Sequence, residues 1–271
     1  MSNRKRPNNP ALARRQRSRR QGLIAVVVAV VVAVIGAVIA VLAATGGSPG
    51  TPTAAATSTP PATTGPTTPA AVKSTGASKL HCSKPPPLPK SPQSFRHAPS
   101  PSLAQDATWD ATIRTTCGDI SLQLDGKKAP KAVSSFLFLA GKGFWTDSPC
   151  HRVTTAASGI FVLQCGDPTG TGTGGPGYTF GVENAPKNGN YPAGTLAMAR
   201  TSDPNSNGSQ FFIVYKDTKL PTAGGGYTIF GRVAKGLDIV RGIAAKGTAG
   251  PGGSGEPNQP ISILGVSTKH A

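Results

Sequence analysis

Apolar and polar positions alternate along the C-terminal part of the chain, and this alternation predicts short β-strands separated by glycine turns. The stretch WDATIRTTCGDISLQL predicts a hairpin with one buried face around a Cys-Gly-Asp turn. Two other segments, APKAVSSFLFLAGKGF and GLDIVRGIAAKG, carry apolar residues at helical spacing. Many short strands with two inward-facing helices predict an all-β fold, a closed antiparallel barrel capped by two α-helices. The other predicted strands are GIFVLQCGD, GTLAMAR, SQFFIVY, YTIFGRV and ISILGVS.

A second pattern, an uninterrupted apolar run, occupies residues 22–44. Its 23 residues carry no charge and, as a helix, would extend about 34 Å, enough to cross a hydrocarbon core of roughly 30 Å. The preceding residues 1–21 contain eight Lys or Arg and no acid. We therefore expect a basic cytoplasmic tail and a transmembrane signal-anchor helix, with the C-terminal domain outside the cell membrane. The alternative is a signal peptide cleaved after the small residues at 41–44, which would release a secreted protein.

Composition divides the rest of the chain into a linker and a domain. Residues 45–105 are rich in Pro, Thr and Ala, and such a segment lacks the large apolar residues that fold a chain, so we expect a disordered linker. Residues 106–271 are long enough to bury a core. The net charge of +17 lies mostly outside this domain, where 15 basic residues oppose 11 acids. A nucleic-acid interface is therefore not expected.

Four cysteines, Cys82, Cys117, Cys150 and Cys165, lie in the linker end and the domain. Neither they nor the histidines have metal-ligand spacing, so we expect no metal. An even number in an exported domain favours disulfides. Cys150 and Cys165 flank a predicted strand–turn–strand and should pair, which leaves Cys82 and Cys117 to join the linker end to the first strands.

Local motifs do not predict nucleophilic or dinucleotide chemistry. The letters GTGTGG at 170–175 match a dinucleotide fingerprint, but Pro176 and Gly177 follow, so no helix can start there and we expect a loop. Polar residues next to apolar strand ends remain, and they form either a binding pocket or the rim of an ordinary core. These polar residues are Arg152, Gln164 and Gln210, and the apolar ones are Phe161, Val162, Met198, Phe212, Leu220 and Tyr227.

Several blocks occur in order over residues 110–268: HRV, GIFVLQCGDPTGTGTGGPGYTFGVEN, GTLAMAR, NSNGSQFFI and YTIFGRVAKGLDIV. In these blocks the chain resembles the cyclophilin-type peptidyl-prolyl cis-trans isomerases. The resemblance implies an eight-stranded antiparallel barrel capped by two helices. It also implies catalysis of rotation about X–Pro bonds without a cofactor or metal.

The resemblance assigns Arg152 as the catalytic arginine and Gln164 and Gln210 as the polar pair beside it. Strand alternation independently sends Gln210 and Phe212 to the same face. By the same resemblance, the substrate-binding positions are Phe161, Val162, Met198, Ala199, Arg200, Phe212, Leu220 and Tyr227.

Three positions depart from the residues that many members of this family carry. Lys219 aligns with Trp, Tyr227 with His and Arg200 with Asn. Because the Trp position contributes to cyclosporin binding in the family, we expect weak inhibition by cyclosporin here.

The favoured hypothesis is a membrane-tethered isomerase that assists the folding of exported, proline-containing polypeptides and acts as a monomer. The alternative is a non-catalytic proline-binding chaperone or scaffold on the same fold. Retention of Arg152 favours the first hypothesis, whereas the altered pocket rim favours the second.

Overall fold

The structure, a computed structural model, describes residues 80–271, and its first long element is the predicted hairpin. Strands β1 (Thr108–Thr115) and β2 (Gly118–Asp125) pair antiparallel, and every second side chain along β2 is buried. The predicted cytoplasmic tail, the apolar segment 22–44 and the first part of the linker lie outside the described residues. None of the helices in residues 80–271 has both the length and the apolar character that crossing a bilayer requires.

The strands of the described region form one large antiparallel sheet and one small one. After β1 and β2 the strands are β3 (Ser148–Pro149), β4 (Arg152–Thr154), β5 (Val162–Cys165), β6 (Asn190–Tyr191), β7 (Thr195–Met198), β8 (Phe211–Val214), β9 (Thr218–Lys219), β10 (Ile229–Lys235), β11 (Ser254–Gly255) and β12 (Ser262–His270). The large sheet has ten strands in the order β11-β4-β5-β8-β7-β10-β2-β1-β12-β3, and β6 pairs with β9 separately. Each strand that the sequence predicts is present in this arrangement.

The large sheet differs from the predicted closed eight-stranded barrel. Strand β3 is one end of the sheet, whereas β4, two residues later in the chain, lies next to the other end. The sheet therefore curls until its two ends are joined through residues 150–151. Among the described residues no ladder pairs β3 with β11, and each of these strands is two residues long. The result is a curled half-barrel whose two ends are connected by the covalent chain and not by a closing ladder.

Two α-helices accompany the sheet, as the sequence predicts. Helix α1 (Pro130–Gly141) begins at a proline, which suits the first turn because its missing N–H would have no helical partner there. Helix α2 (Leu237–Ala245) is amphipathic and buries Val240, Ile243 and Ala244. Helix α1 packs against β12 and β2, and α2 packs against β2. Both helices thus cover the interior of the curled sheet, while the opposite face of the central strands packs with Tyr191 and Leu220.

Alternation along the central strands separates two apolar clusters on opposite faces of the sheet. The interior cluster takes one set of positions and the outer cluster takes their immediate neighbours. The side on which a residue lies therefore decides whether it can help to form a surface pocket. On β5, β7 and β8 the interior set is Leu163, Cys165, Leu196, Met198, Phe211 and Ile213, and the outer set is Val162, Ala197, Phe212 and Val214.

Residues 80–105, which the sequence places in the linker, make defined contacts with the domain. The disulfide Cys82–Cys117 joins this segment to the turn of the first hairpin. Further along, the backbone N–H of Phe95 donates a 2.7 Å hydrogen bond to the carbonyl of Pro176. The N–H of Ala104, which is fully buried, also donates a 3.0 Å hydrogen bond to Oγ of Ser134. The segment is therefore attached at several places, and its proline-rich composition does not prevent it from packing.

Candidate active site

Five residues from five adjacent strands lie in register across the outer face of the sheet. Arg152 on β4 is opposite Gln164 on β5, which is opposite Phe212 on β8. Phe212 is opposite Ala197 on β7, which is opposite Ile229 on β10. Directly opposed residues have Cβ atoms about 4.5–5.5 Å apart. The row therefore passes from a cation through an amide to an apolar patch within a few strand widths.

The guanidinium of Arg152 is held on two sides. Its Nε donates a 2.9 Å hydrogen bond to Oγ of Ser254, and its Nη1 donates a 3.1 Å bond to Oε1 of Gln164. Burial lowers the pKa of Arg152 from its ordinary value, against an opposing influence of Tyr227, but a guanidinium remains charged at neutral pH. Its Nη2 makes no hydrogen bond to another described residue and can donate to a ligand.

The two predicted glutamines form a relay behind Arg152. Nε2 of Gln164 donates to Oε1 of Gln210 over 2.9 Å. Nε2 of Gln210 then donates to the carbonyls of Gly172 and Gly174, at 3.0 and 2.8 Å. These bonds commit the amide of Gln210 to the protein itself. Gln210 therefore fixes the orientation of Gln164, which in turn fixes that of Arg152.

An apolar cluster lies beside this polar relay. Val162, Phe212 and Leu220 are buried in the outer cluster, and Tyr227 packs against it. The ring centroids of Phe212 and Tyr227 are 5.7 Å apart in an edge-to-face arrangement. The structure thus brings together four of the apolar residues that the sequence singles out.

Arg200 and Ala199 occupy the rim next to the pocket. Nε and Nη2 of Arg200 each donate a 2.7 Å hydrogen bond to a loop carbonyl, that of Gly226 and that of Ala223. The backbone N–H of Ala199 donates to the carbonyl of Gln210 at 2.9 Å. Arg200 therefore braces the rim, and the Ala199 N–H is already used within the sheet.

Two predicted pocket residues lie elsewhere. Met198 alternates with Ala197 along β7, so it points into the interior cluster and contributes nothing to the outer face. Alternation is the physical reason, because one step along a strand changes the face. Phe161 lies just before β5 and is not part of the outer cluster. Its ring packs against Tyr215, with centroids 5.8 Å apart.

The structure adds residues to the site that sequence reasoning did not identify. Ser254 on β11 holds Arg152 although 102 positions separate them, and no local pattern connects this two-residue strand with β4. Ile160 packs against the outer cluster. The hydroxyl of Tyr191 donates to the carbonyl of Tyr227 at 3.0 Å and accepts from the Tyr227 N–H at 2.8 Å. Alternation from Phe212 predicts an outer face, but it cannot identify these contributors from other segments.

A groove continues from the site past the glutamines. Its volume is about 540 Å³, and Gln164, Gln210, Ala199 and Arg200 line it together with the loop 172–179. The groove would admit an extended chain alongside the polar relay. Within residues 80–271, no three His, Cys, Asp or Glu side chains cluster so as to hold a metal ion.

The disulfide Cys150–Cys165 lies immediately behind the site. Cys150 is two residues before Arg152, and Cys165 directly follows Gln164. The structure therefore contains both of the disulfides that the sequence predicts, and this one links the two strands that carry the arginine and its amide partner.

A curled antiparallel sheet that presents a fixed cation and two linked amides beside an apolar cluster defines a protein suited to holding an apolar ring next to a positive charge. Its family follows from comparison with known proteins. The chain belongs to the cyclophilin-type peptidyl-prolyl cis-trans isomerase family, because the family model for "Cyclophilin type peptidyl-prolyl cis-trans isomerase/CLD" matches residues 111–268.

Curated relatives agree with this assignment. "Probable peptidyl-prolyl cis-trans isomerase B" of Mycobacterium tuberculosis H37Rv is 45% identical over 172 residues, covering 59% of this chain and 54% of that protein. The protein of the same name from Mycobacterium leprae is 42% identical over 197 residues, covering 68% and 65%. The chain thus spans between about half and two thirds of the length of these relatives.

Solved structures show the same fold. The crystal structure of a Cryptosporidium parvum cyclophilin type peptidyl-prolyl cis-trans isomerase matches with a TM-score of 0.51 at 30% identity, covering 60% of this chain and 99% of that one. A second crystal structure of that protein, in the presence of the dipeptide Ala-Pro, matches with a TM-score of 0.50 at 32% identity.

Proposed function

We propose that this chain is a peptidyl-prolyl cis-trans isomerase that accelerates rotation about X–Pro bonds in polypeptides. The observation that carries the proposal is the position of Arg152, whose guanidinium is held by Ser254 and Gln164 in the row that continues to the Phe212 pocket. Membership of the family supports it, as does the Cryptosporidium relative's structure with Ala-Pro.

The chemistry of the reaction suits these residue types. Rotation about a peptide bond has a barrier of ~18–20 kcal/mol because the amide loses its resonance. In the twisted form the proline nitrogen becomes a better hydrogen-bond acceptor, and no bond is broken, so neither a nucleophile nor a general base is needed. A guanidinium donor such as Nη2 of Arg152 stabilises that form. Each 1.36 kcal/mol of preference for the twisted amide accelerates rotation about tenfold.

The apolar pocket supplies the other half of the mechanism. Val162, Phe212 and Leu220 would hold the proline ring while the residue before it turns. The 540 Å³ groove would take the neighbouring backbone of the substrate. Because only the ring enters the pocket, we expect the enzyme to accept many proline-containing chains. We also propose that it acts as a monomer and needs no cofactor.

We further propose that the domain acts outside the cell membrane on exported proteins, with the apolar segment 22–44 as its anchor. Two disulfides in the described residues support an oxidising location. Protease added to intact cells should remove the domain, and the membrane fraction should retain the chain. A mature protein that begins near residue 45 would instead indicate a cleaved, secreted form.

The direct test is an isomerisation assay on a short Ala-Pro peptide with the full chain. Arg152→Ala should lose most of the turnover while the fold stays intact, and Arg152→Lys should recover little because a point charge does not reproduce the guanidinium fork. The control is Arg232→Ala, because Arg232 is exposed and donates to Gln123 on another strand pair. Peptide binding without turnover in the wild-type chain would reject the isomerase and favour a proline-binding scaffold.

A further inference from the structure

Asp167 lies behind the active site and is fully buried, with 0% of its surface exposed. It begins the Thr-Gly loop that follows β5. Its carboxylate accepts four hydrogen bonds: from the N–H and hydroxyl of Thr169 at 2.8 and 2.7 Å, from the hydroxyl of Thr171 at 3.3 Å, and from the N–H of Gly174 at 2.9 Å. A buried carboxylate is costly unless donors surround it, and this one is surrounded by its own loop.

The loop that Asp167 organises is the one that holds Gln210. Gly172 and Gly174 provide the two carbonyls to which the Gln210 amide donates. Gln210 accepts from Gln164, and Gln164 accepts from Arg152. A continuous chain of hydrogen bonds thus leads from the buried carboxylate to the guanidinium.

The fit between carboxylate and loop is close. A Cβ on Gly174 would collide with Oδ1 of Asp167 and would lie 2.9 Å from the Thr169 hydroxyl. Gly172 has φ +79°, in the left-handed region that side chains rarely adopt. The loop therefore needs both glycines and the carboxylate to present its two carbonyls to Gln210.

A carboxylate is required here rather than an amide. All four partners of Asp167 donate to it. An asparagine would turn one of its two polar atoms into a donor that faces other donors, and a buried unpaired polar group costs ≈ 1–3 kcal/mol. The chemistry of the loop thus selects an acceptor with two oxygens.

We propose that Asp167 is a positioning residue for the isomerisation: it fixes the 168–175 loop so that the Gln210–Gln164 relay aims Arg152 at the twisted amide. The proposal rests on the isomerase function proposed above. Asp167 touches no substrate in this arrangement and acts only through the relay. The proposal predicts that a substitution that disturbs the loop changes the orientation of Arg152 and leaves the residues of the proline pocket unchanged.

The experiment compares full-length Asp167→Asn and Thr169→Val with Thr169→Ser. We expect kcat on an Ala-Pro peptide to fall about tenfold or more in the first two, as loss of one aligned donor would produce, with KM within about twofold. Thr169→Ser keeps the hydroxyl and should retain the wild-type kcat. Thr146→Val, at an exposed threonine beyond α1, is the matched control.

A second readout separates positioning from loss of stability. We expect the NMR signals of Arg152 Nε–H and of the Gln164 and Gln210 side-chain amides to shift in Asp167→Asn and Thr169→Val, and to stay in place in Thr169→Ser. Unchanged signals, or an unchanged kcat in a folded variant, would overturn the proposal. If Asp167→Asn does not fold, the Thr169 pair decides.

The two readouts also keep the two proposals apart. A wild-type chain that does not turn over the peptide would reject the isomerase function. The NMR signals would still show whether Asp167 orients Arg152.

Discussion

The guanidinium carbon of Arg200 lies 4.9 Å from the centre of the Tyr227 ring. The same guanidinium donates to the carbonyls of Gly226 and Ala223. One side chain therefore stacks on the ring of Tyr227 and also holds the loop that leads to Tyr227. These are the two positions where many family members carry Asn and His. Here they form a stacked pair, and the rim of the pocket is braced by a cation–π contact as well as by hydrogen bonds.

Removal of this brace should loosen the rim. We expect Arg200→Ala to raise KM for an Ala-Pro peptide severalfold and to lower the free energy of unfolding by about 1–3 kcal/mol, the cost of leaving polar groups unpaired. Arg200→Lys should restore stability only in part, because one ammonium cannot reach the carbonyls and cover the Tyr227 ring together. Steady-state kinetics and urea unfolding measure the two effects. An unchanged KM in Arg200→Ala would show that the brace does not shape the pocket.

Phe212 and Met198 offer a matched test of the two faces of the sheet. Both are almost fully buried, at 4% and 3% exposure, but Phe212 lies in the outer cluster and Met198 in the interior one. We expect Phe212→Ala to abolish most peptide turnover. Met198→Ala should destabilise the fold by about 2–5 kcal/mol and leave KM unchanged.

Isomerisation kinetics and urea unfolding on both variants provide the measurement. A large rise in KM for a folded Met198→Ala would place this side chain in the proline pocket after all, as its position in the GTLAMAR block suggests. If the two variants lower stability equally and neither changes turnover, the pocket has no part in the mechanism.

The alternation of side chains explains both what the sequence could predict and where it failed. Alternation from Gln210 to Phe212 correctly placed these two on one face, and the structure joins Gln210 to Gln164. The same rule, applied to Met198, would have removed it from the pocket, because its neighbour Ala197 already faces outward. A motif block carries residues of both faces, so a match to the block alone does not tell them apart.

Contacts between distant segments could not be predicted from any local pattern. Ser254 reaches Arg152 from β11, a two-residue strand whose position next to β4 depends on the whole curled sheet. The cysteine count predicts the attachment of the segment before residue 106 at Cys82, but its composition gives no sign of the attachment at Phe95. The closing of the sheet also depends on how far it curls, which strand number alone does not give.

His151 should make the stability of the domain depend on pH. Both ring nitrogens are buried without a hydrogen-bond partner among the described residues. Burial lowers the pKa of His151 below its ordinary value of 6.5, outweighing the opposite effect of Asp167, and Arg152 lowers it further. The unfolded chain therefore takes up the proton first as the pH falls. The contribution of His151 to the free energy of unfolding is fully present above about pH 6.5, and it is lost as the pH falls from there towards the lowered pKa of the folded state.

Urea midpoints between about pH 8 and about pH 5 measure this effect. His151→Leu should flatten the decline, whereas His97→Leu, at an exposed histidine, should leave the curve as in the wild type. A decline that persists unchanged in His151→Leu would assign the pH dependence to other groups.

Reduction of the disulfides should destabilise the domain. Cys150 and Cys165 are 15 positions apart and Cys82 and Cys117 are 35 apart, separations that correspond to about 3 and about 4 kcal/mol of loop-closure entropy. We expect a Cys150→Ser/Cys165→Ser double variant to lose roughly the first amount in urea unfolding. Reductant should lower the wild-type midpoint further than it lowers that of the double variant. A reductant effect of the same size in both would mean that this bond does not stabilise the native chain.

Lys219 provides a test of inhibitor recognition. It is exposed on β9, one residue before the buried Leu220 of the pocket, where many family members carry a Trp that contributes to cyclosporin binding. A lysine lacks the large apolar surface of that aromatic ring and places a hydrated charge at the same position.

We expect weak inhibition of the wild-type chain by cyclosporin, and a gain of about tenfold in cyclosporin affinity, or 1.4 kcal/mol, in Lys219→Trp. Lys216→Trp, at an exposed lysine whose ammonium lies over Phe161 away from the pocket, should bring no such gain. Inhibition of the peptide assay by cyclosporin measures all three chains, and near-nanomolar inhibition of the wild type would contradict the expected role of Lys219.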